Sequence, residues 1–144
     1  MKAFAIGGAA ALAAIGIALA QDDAPPQMPS PEGAAVYFIS PEDGATVSSP
    51  VRVQFGLKGM GIAPAGVEWE NTGHHHLIVD GELPPLDAYM PTANESFLHF
   101  GGGQTETELD LAPGEHTLQL ILGDHDHLPH APPVYSDKIT ITVE

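Results

Sequence analysis

His116-Thr117-Leu118-Gln119-Leu120-Ile121-Leu122-Gly123 repeats with a period of two: Leu118, Leu120 and Leu122 on one side, Thr117 and Gln119 on the other. Side chains on a strand alternate between faces, so this is a β-strand with one face in a core. The strand runs directly into Asp124-His125-Asp126-His127-Leu128-Pro129-His130. Whatever sheet it joins therefore carries a histidine-dense segment at its end.

The same texture extends outward in both directions. Val51, Val53, Phe55 and Leu57 alternate with Arg52, Gln54 and Gly56, and Ile139, Ile141 and Val143 alternate with Thr140 and Thr142. Shorter apolar runs at Val36–Ile39, His74–Asp80 and Thr105–Leu111 complete the set, separated by turns such as Ser40-Pro41-Glu42-Asp43-Gly44 and Ala112-Pro113-Gly114-Glu115. Gly81 to Asn94 holds three prolines and shows no period, so it reads as a long loop with room for one helical turn. Beyond the N-terminal leader no segment has a helical period. Six or seven short strands with Pro/Gly turns predict an all-β fold, an immunoglobulin-like antiparallel β-sandwich over residues 35–144.

Residues 1–20 read as a cleavable signal peptide. Lys2 precedes an unbroken run of Ala, Gly, Ile, Leu and Phe, and Ala18-Leu19-Ala20 is a small-x-small cleavage site followed by Gln21-Asp22-Asp23. A retained membrane anchor is the competing reading, and the shortness of the run and the Ala-x-Ala site favour removal. Gln21 to Ala34 is a Pro-rich lead, flexible or polyproline-like. The expected location is periplasmic or secreted.

The net charge is −15, and removal of the leader, which takes Lys2, makes it more negative still. Such a surface repels nucleic acid and anionic membranes and attracts cations. The chain has no cysteine. That excludes disulfides, iron–sulfur clusters, cysteine-type zinc sites and blue-copper thiolate ligation. A transition metal here needs imidazole, carboxylate or thioether ligands.

Six of the eight histidines lie in two segments, Gly73-His74-His75-His76-Leu77 and Gly123-Asp124-His125-Asp126-His127-Leu128-Pro129-His130. In an immunoglobulin-like sandwich these abut strands C and F, which are antiparallel neighbours. The start of C lies beside the end of F. With Leu77 and Val79 facing the core, His74, His76 and Asp80 face outward. His125 and His127 share that parity if strand F persists so far. Strands about 4.8 Å apart let imidazoles at such corners converge on one ion, with metal–nitrogen bonds of about 2.0 Å.

The expected metal ligands are His74, His76, His125, His127 and His130. His99 and Met60 lie at the same pole without a decisive signal, and loop packing is the simpler role for Met60. His75 has inward parity and His116 lies at the opposite pole, so both are excluded. Asp124 and Asp126 suit either turn roles or hydrogen bonding to ligand imidazoles. Imidazole-rich, thiolate-free ligation suits copper, with zinc the alternative.

These histidine segments, with Gly59-Met60-Gly61 and His99-Phe100-Gly101, resemble a family of small exported bacterial domains known only as a domain of unknown function. The resemblance covers about residues 40 to 144. It implies the exported β-sandwich and carries no activity. A more distant likeness to cupins, through Glu82 and Ala112-Pro113-Gly114-Glu115-His116, makes the opposite prediction, with His116 in the site.

Three functions follow from the residues. The first is a metal-binding module for copper storage, delivery or sensing, with a partner among periplasmic metal-handling proteins. The second is a metalloenzyme, with copper redox chemistry or zinc-bound water and Asp80 or Asp126 as base. The third is a metal-free interaction sandwich whose histidines form a patch sensitive near pH 6.

Overall fold

A computed structural model describes residues 26–144. The leader expected over residues 1–20 lies outside the described residues. Among the described residues there are nine strands and no helix: β1 Ala35–Ser40, β2 Thr46–Val47, β3 Val51–Lys58, β4 Gly61–Ile62, β5 Thr72–Val79, β6 Phe97–His99, β7 Glu106–Leu109, β8 Gly114–Gly123 and β9 Ile139–Val143.

Two sheets face each other. One has the order β1-β3-β7; the other runs β2-β9-β8-β5-β4, with β6 also paired to β5. This is the immunoglobulin-like arrangement. β5 and β8 take the neighbouring C and F places and pair antiparallel, with His74 opposite Gly123 and Val79 opposite Leu118. Most ladders are antiparallel, but the two-residue strands β2 and β4 pair in parallel with β9 and β5.

The period-two patterns place the core. Val51, Val53 and Phe55 from β3 meet Leu77 and Val79 from β5, Leu118, Leu120 and Leu122 from β8, and Ile139, Ile141 and Val143 from β9. Burial of these aliphatic and aromatic faces is the main stabilising term, at about 1.5–3 kcal/mol per fully buried side chain.

The outer face of the larger sheet is not left to water. Ile78, Phe97 and Ile121 form a second apolar cluster with Met90, and Leu83 and Leu86 pack against it. The long segment between β5 and β6 is therefore a cover lying on the sheet. It forms no helical turn. Gln27 anchors it from the N-terminal side, its Nε2 donating to the carbonyls of Leu86 (2.7 Å) and Pro129 (2.8 Å). Nearby, Pro29 bridges to Ala131, and the Ala131 amide donates to the Met28 carbonyl.

Candidate metal centre

β5 presents its histidines alternately. His75 points into the sandwich, where its ring meets Phe55 at 5.1 Å. His74 and His76 point to the outer face and are buried beneath the cover, 0% and 1% exposed. Phe97 covers the His76 ring at a centroid distance of 5.3 Å.

Two further histidines reach this pair by different routes. His99 ends β6 and pairs with His76 in the ladder, so its ring stands beside the His76 ring at 5.1 Å. His127 comes from the turn after β8. Strand β8 ends at Gly123, and Asp124 then folds the chain back. Its carboxylate accepts from the amides of Asp126 and Leu128, both at 2.9 Å. His127 sits in the left-handed region at φ 66°, a conformation uncommon outside glycine and concentrated at functional sites. Its carbonyl accepts from the Met90 amide at 2.9 Å, while that of His125 accepts from the Gly66 amide at the same distance.

The result is a group of four, His74, His76, His99 and His127, whose ligand-capable atoms all lie within 4.8 Å of one another. Nε2 of His99 is 3.2 Å from Nε2 of His74 and 3.0 Å from Nε2 of His127. Two nitrogens bound at about 2.0 Å to one tetrahedral ion stand about 3.3 Å apart. Without an ion the contacts conflict, because a neutral imidazole nitrogen either donates one proton or offers one lone pair and so cannot satisfy both neighbours. Nδ1 of His74 and both ring nitrogens of His76 are buried without a partner. Each such orphan costs about 1–3 kcal/mol. A metal ion would use one ring nitrogen on each histidine.

Burial holds the rings of His74 and His76 neutral. It pushes the His74 pKa down to about 4 and that of His76 to about 2, with the neighbouring imidazoles adding to both shifts. His99 is lowered as well, by burial and by His127. Neutral imidazole is the ligating form, so protons do not compete for these nitrogens near neutral pH.

Glycines make the close packing feasible. A Cβ on Gly101 would fall 2.3 Å from Cε1 of His99, and one on Gly123 would fall 2.3 Å from Cε of Met90 and 2.8 Å from Cε1 of His76. A cleft of about 390 Å³ opens beside the group, lined among others by His76, Tyr89, Met90, His99, Asp126 and His127.

Of the five histidines expected to meet, the structure brings together His74, His76 and His127. His125 stays outside, because the strand stops before it and the turn breaks the parity that would have aimed it at the site. His130 lies on the other face of β5. Its Cε1 stands 2.9 Å from where a Gly73 side chain would begin, and its Nε2 donates to the Thr72 carbonyl at 3.0 Å. His99 joins the group in their place. Its strand is three residues long, too short to leave a periodic signal, although the His-Phe-Gly-Gly-Gly run contained the glycine it needs. Met60 packs on the main core. His116 is at the far end of the ladder, bonded to Asp80 and to the Ala112 carbonyl, which removes the cupin alternative. Asp124 shapes the turn, and Asp126 is exposed, accepting from the Tyr89 hydroxyl at 3.3 Å.

A family model described as a domain of unknown function (DUF4399) matches residues 53–144, a span that holds all four clustered histidines. No curated protein matches the chain. Among solved structures, the fibronectin(III)-like modules of Clostridium thermocellum CbhA are similar to it at 13% identity and a TM-score of 0.37, over 75% of this chain and 92% of that one.

Proposed function

This chain belongs to the DUF4399 family, whose name assigns no activity, and we propose that it is an exported copper-binding module that stores, delivers or senses the ion. One observation carries the reading: four imidazoles converge within 4.8 Å while Nδ1 of His74 and both ring nitrogens of His76 have no protein partner. His75 is also buried without a partner, but it lies against Phe55 on the core side, apart from the group. At His74 and His76 the unsatisfied nitrogens coincide with converging imidazoles, and a bound ion explains both.

His74, His76, His99 and His127 are the ligands. His74 and His76, locked on a central strand, form a fixed base. His99 is exposed and His127 half-buried, so these two face the cleft through which an ion enters and leaves. A four-imidazole set holds Cu(II) or Zn(II), and at equal availability the Irving–Williams order favours copper. The excess negative charge of the chain draws cations toward it. Export is supported by the leader-like composition of residues 1–20 and gives the module a periplasmic partner that loads or receives the ion.

Competition titration with Cu(II) and Zn(II), wild type against His74→Ala/His76→Ala, tests the proposal. The expected result is one ion per chain, bound at least a hundredfold more weakly by the double variant. Weak binding that the substitutions leave unchanged sinks it.

A second reading has one observation in its favour. The cleft reaches three of the four histidines, leaving room for a small substrate at the ion and hence for a metalloenzyme. Metal-loaded protein that turns over superoxide or simple esters, and loses that turnover with His76→Ala, would select this reading. The metal-free switch near pH 6 fits less well, because burial keeps His74 and His76 neutral there.

A further inference from the structure

The cover segment brings one soft donor to the histidines. Met90 is 7% exposed and lines the cleft together with His76, His99 and His127. Its methyl and the His76 ring meet over Gly123, at 2.3 and 2.8 Å from the point where a side chain there would begin. Its backbone amide donates to the His127 carbonyl at 2.9 Å, so the two segments on either side of the site are tied at that point. Of the other methionines among the described residues, Met60 packs on the main core, and Met28 belongs to the N-terminal segment, where its carbonyl accepts from the Ala131 amide. With no cysteine in the chain, a methionine thioether is the softest donor it can offer, and soft donors select Cu(I).

We propose that the Met90 thioether is a further ligand at this centre, seated beside His76 over Gly123, and that it gives the site its affinity for Cu(I). This rests on the copper reading above and adds the oxidation state and the residue that sets it. Four imidazoles already meet the needs of Cu(II) or Zn(II), so the thioether contributes little to either. For Cu(I) it supplies the polarizable partner that imidazole does not.

Met90→Leu keeps the size and apolarity of the side chain and removes only the sulfur. Cu(I), Cu(II) and Zn(II) affinities are measured for both proteins by competition with chromogenic chelators. The expected outcome is a loss of about tenfold in Cu(I) affinity, with Cu(II) and Zn(II) changed by less than twofold. That differential corresponds to a fall of about 59 mV in the Cu(II)/Cu(I) potential. Unchanged Cu(I) affinity overturns the proposal, and so does an equal loss for all three ions, which is the signature of packing alone.

X-ray absorption of the Cu(I)-loaded wild type gives a reading that needs no variant to fold. Because the chain lacks cysteine, any sulfur neighbour of copper is a methionine, and its absence overturns the assignment. Wild type that binds no copper in either state sinks the copper reading and this one with it. Wild type that binds copper through nitrogen only sinks Met90 alone.

Discussion

At one end of the β5–β8 ladder His116 has an acceptor for each ring nitrogen: Nδ1 lies 2.7 Å from Asp80 Oδ2 and Nε2 lies 2.8 Å from the Ala112 carbonyl. At the other end His76 has none for either. The same side chain on the same strand pair is thus held in opposite states. Asp80 and the Ala112 carbonyl raise the His116 pKa and favour the imidazolium. Burial lowers His74 and His76 and keeps them as free lone pairs. The contrast separates a histidine that the fold satisfies from histidines that the fold leaves for something else.

The two ends therefore respond to acid with opposite signs. For His74, His75 and His76 the folded pKa is depressed, so their contribution is complete above the unfolded value of 6.5 and is lost as pH falls toward about 4 for His74 and His75, and about 2 for His76. Each contributes a slope of about 1.4 kcal/mol per pH unit across that window. Together the three are comparable to the usual stability of a small domain, about 5–15 kcal/mol. Metal-free protein is expected to unfold on acidification from pH 6.5 toward 4, with His75→Leu removing about a third of the slope in urea titrations. An acid-insensitive midpoint would break the contrast at its strongest point.

Next in size is the effect of the ion. Copper at a thousand times its dissociation constant should stabilise the fold by about 4 kcal/mol, read as a rise in Tm. His76→Leu should abolish that rise. The same variant should make the metal-free protein no less stable, because it deletes two orphaned nitrogens along with the ring.

Gly123→Ala sharpens the comparison sterically. The added methyl meets both Met90 and His76, so a cost of about 1–3 kcal/mol and weaker copper binding are expected. The smallest effect belongs to the satisfied end. Because the folded pKa of His116 is raised, its pair with Asp80 stabilises fully below 6.5 and loses that contribution as pH rises through the folded value. Asp80 is half-exposed, so the pair contributes under about 1 kcal/mol. Asp80→Asn should therefore lower Tm slightly at pH 6 and less at pH 9, with copper affinity unchanged.

Much of the fold was legible in the residues. The alternations at Val51–Leu57, His116–Gly123 and Ile139–Val143 located the three strands that carry most of the core, and the C–F adjacency set the start of the His74 strand beside the end of the His116 strand; the register, His74 opposite Gly123, came from the structure. Strands β2, β4 and β6 were not legible, since two or three residues carry no period. The turn at Asp124 was equally hidden. Asp-His-Asp-His reads as a continuing strand until the Asp124 carboxylate is seen capping two amides, and that is why His125 was expected where only His127 arrives. Met90 lay in a segment with no pattern at all, and a sheet face that parity marked as outward is roofed by that segment.

Local chemistry along the chain decided the elements that form and the donors on hand: period-two burial makes strands, and a cysteine-free, histidine-rich composition leaves imidazole, carboxylate and thioether as the ligands. Which of those donors meet was decided only in three dimensions. Convergence within a few ångströms depends on where a strand stops, which way a turn throws the chain, and what lies across a sheet. Those are outcomes of long-range packing, to which His99, from a three-residue strand, and Met90, from an irregular loop, owe their places beside His74 and His76.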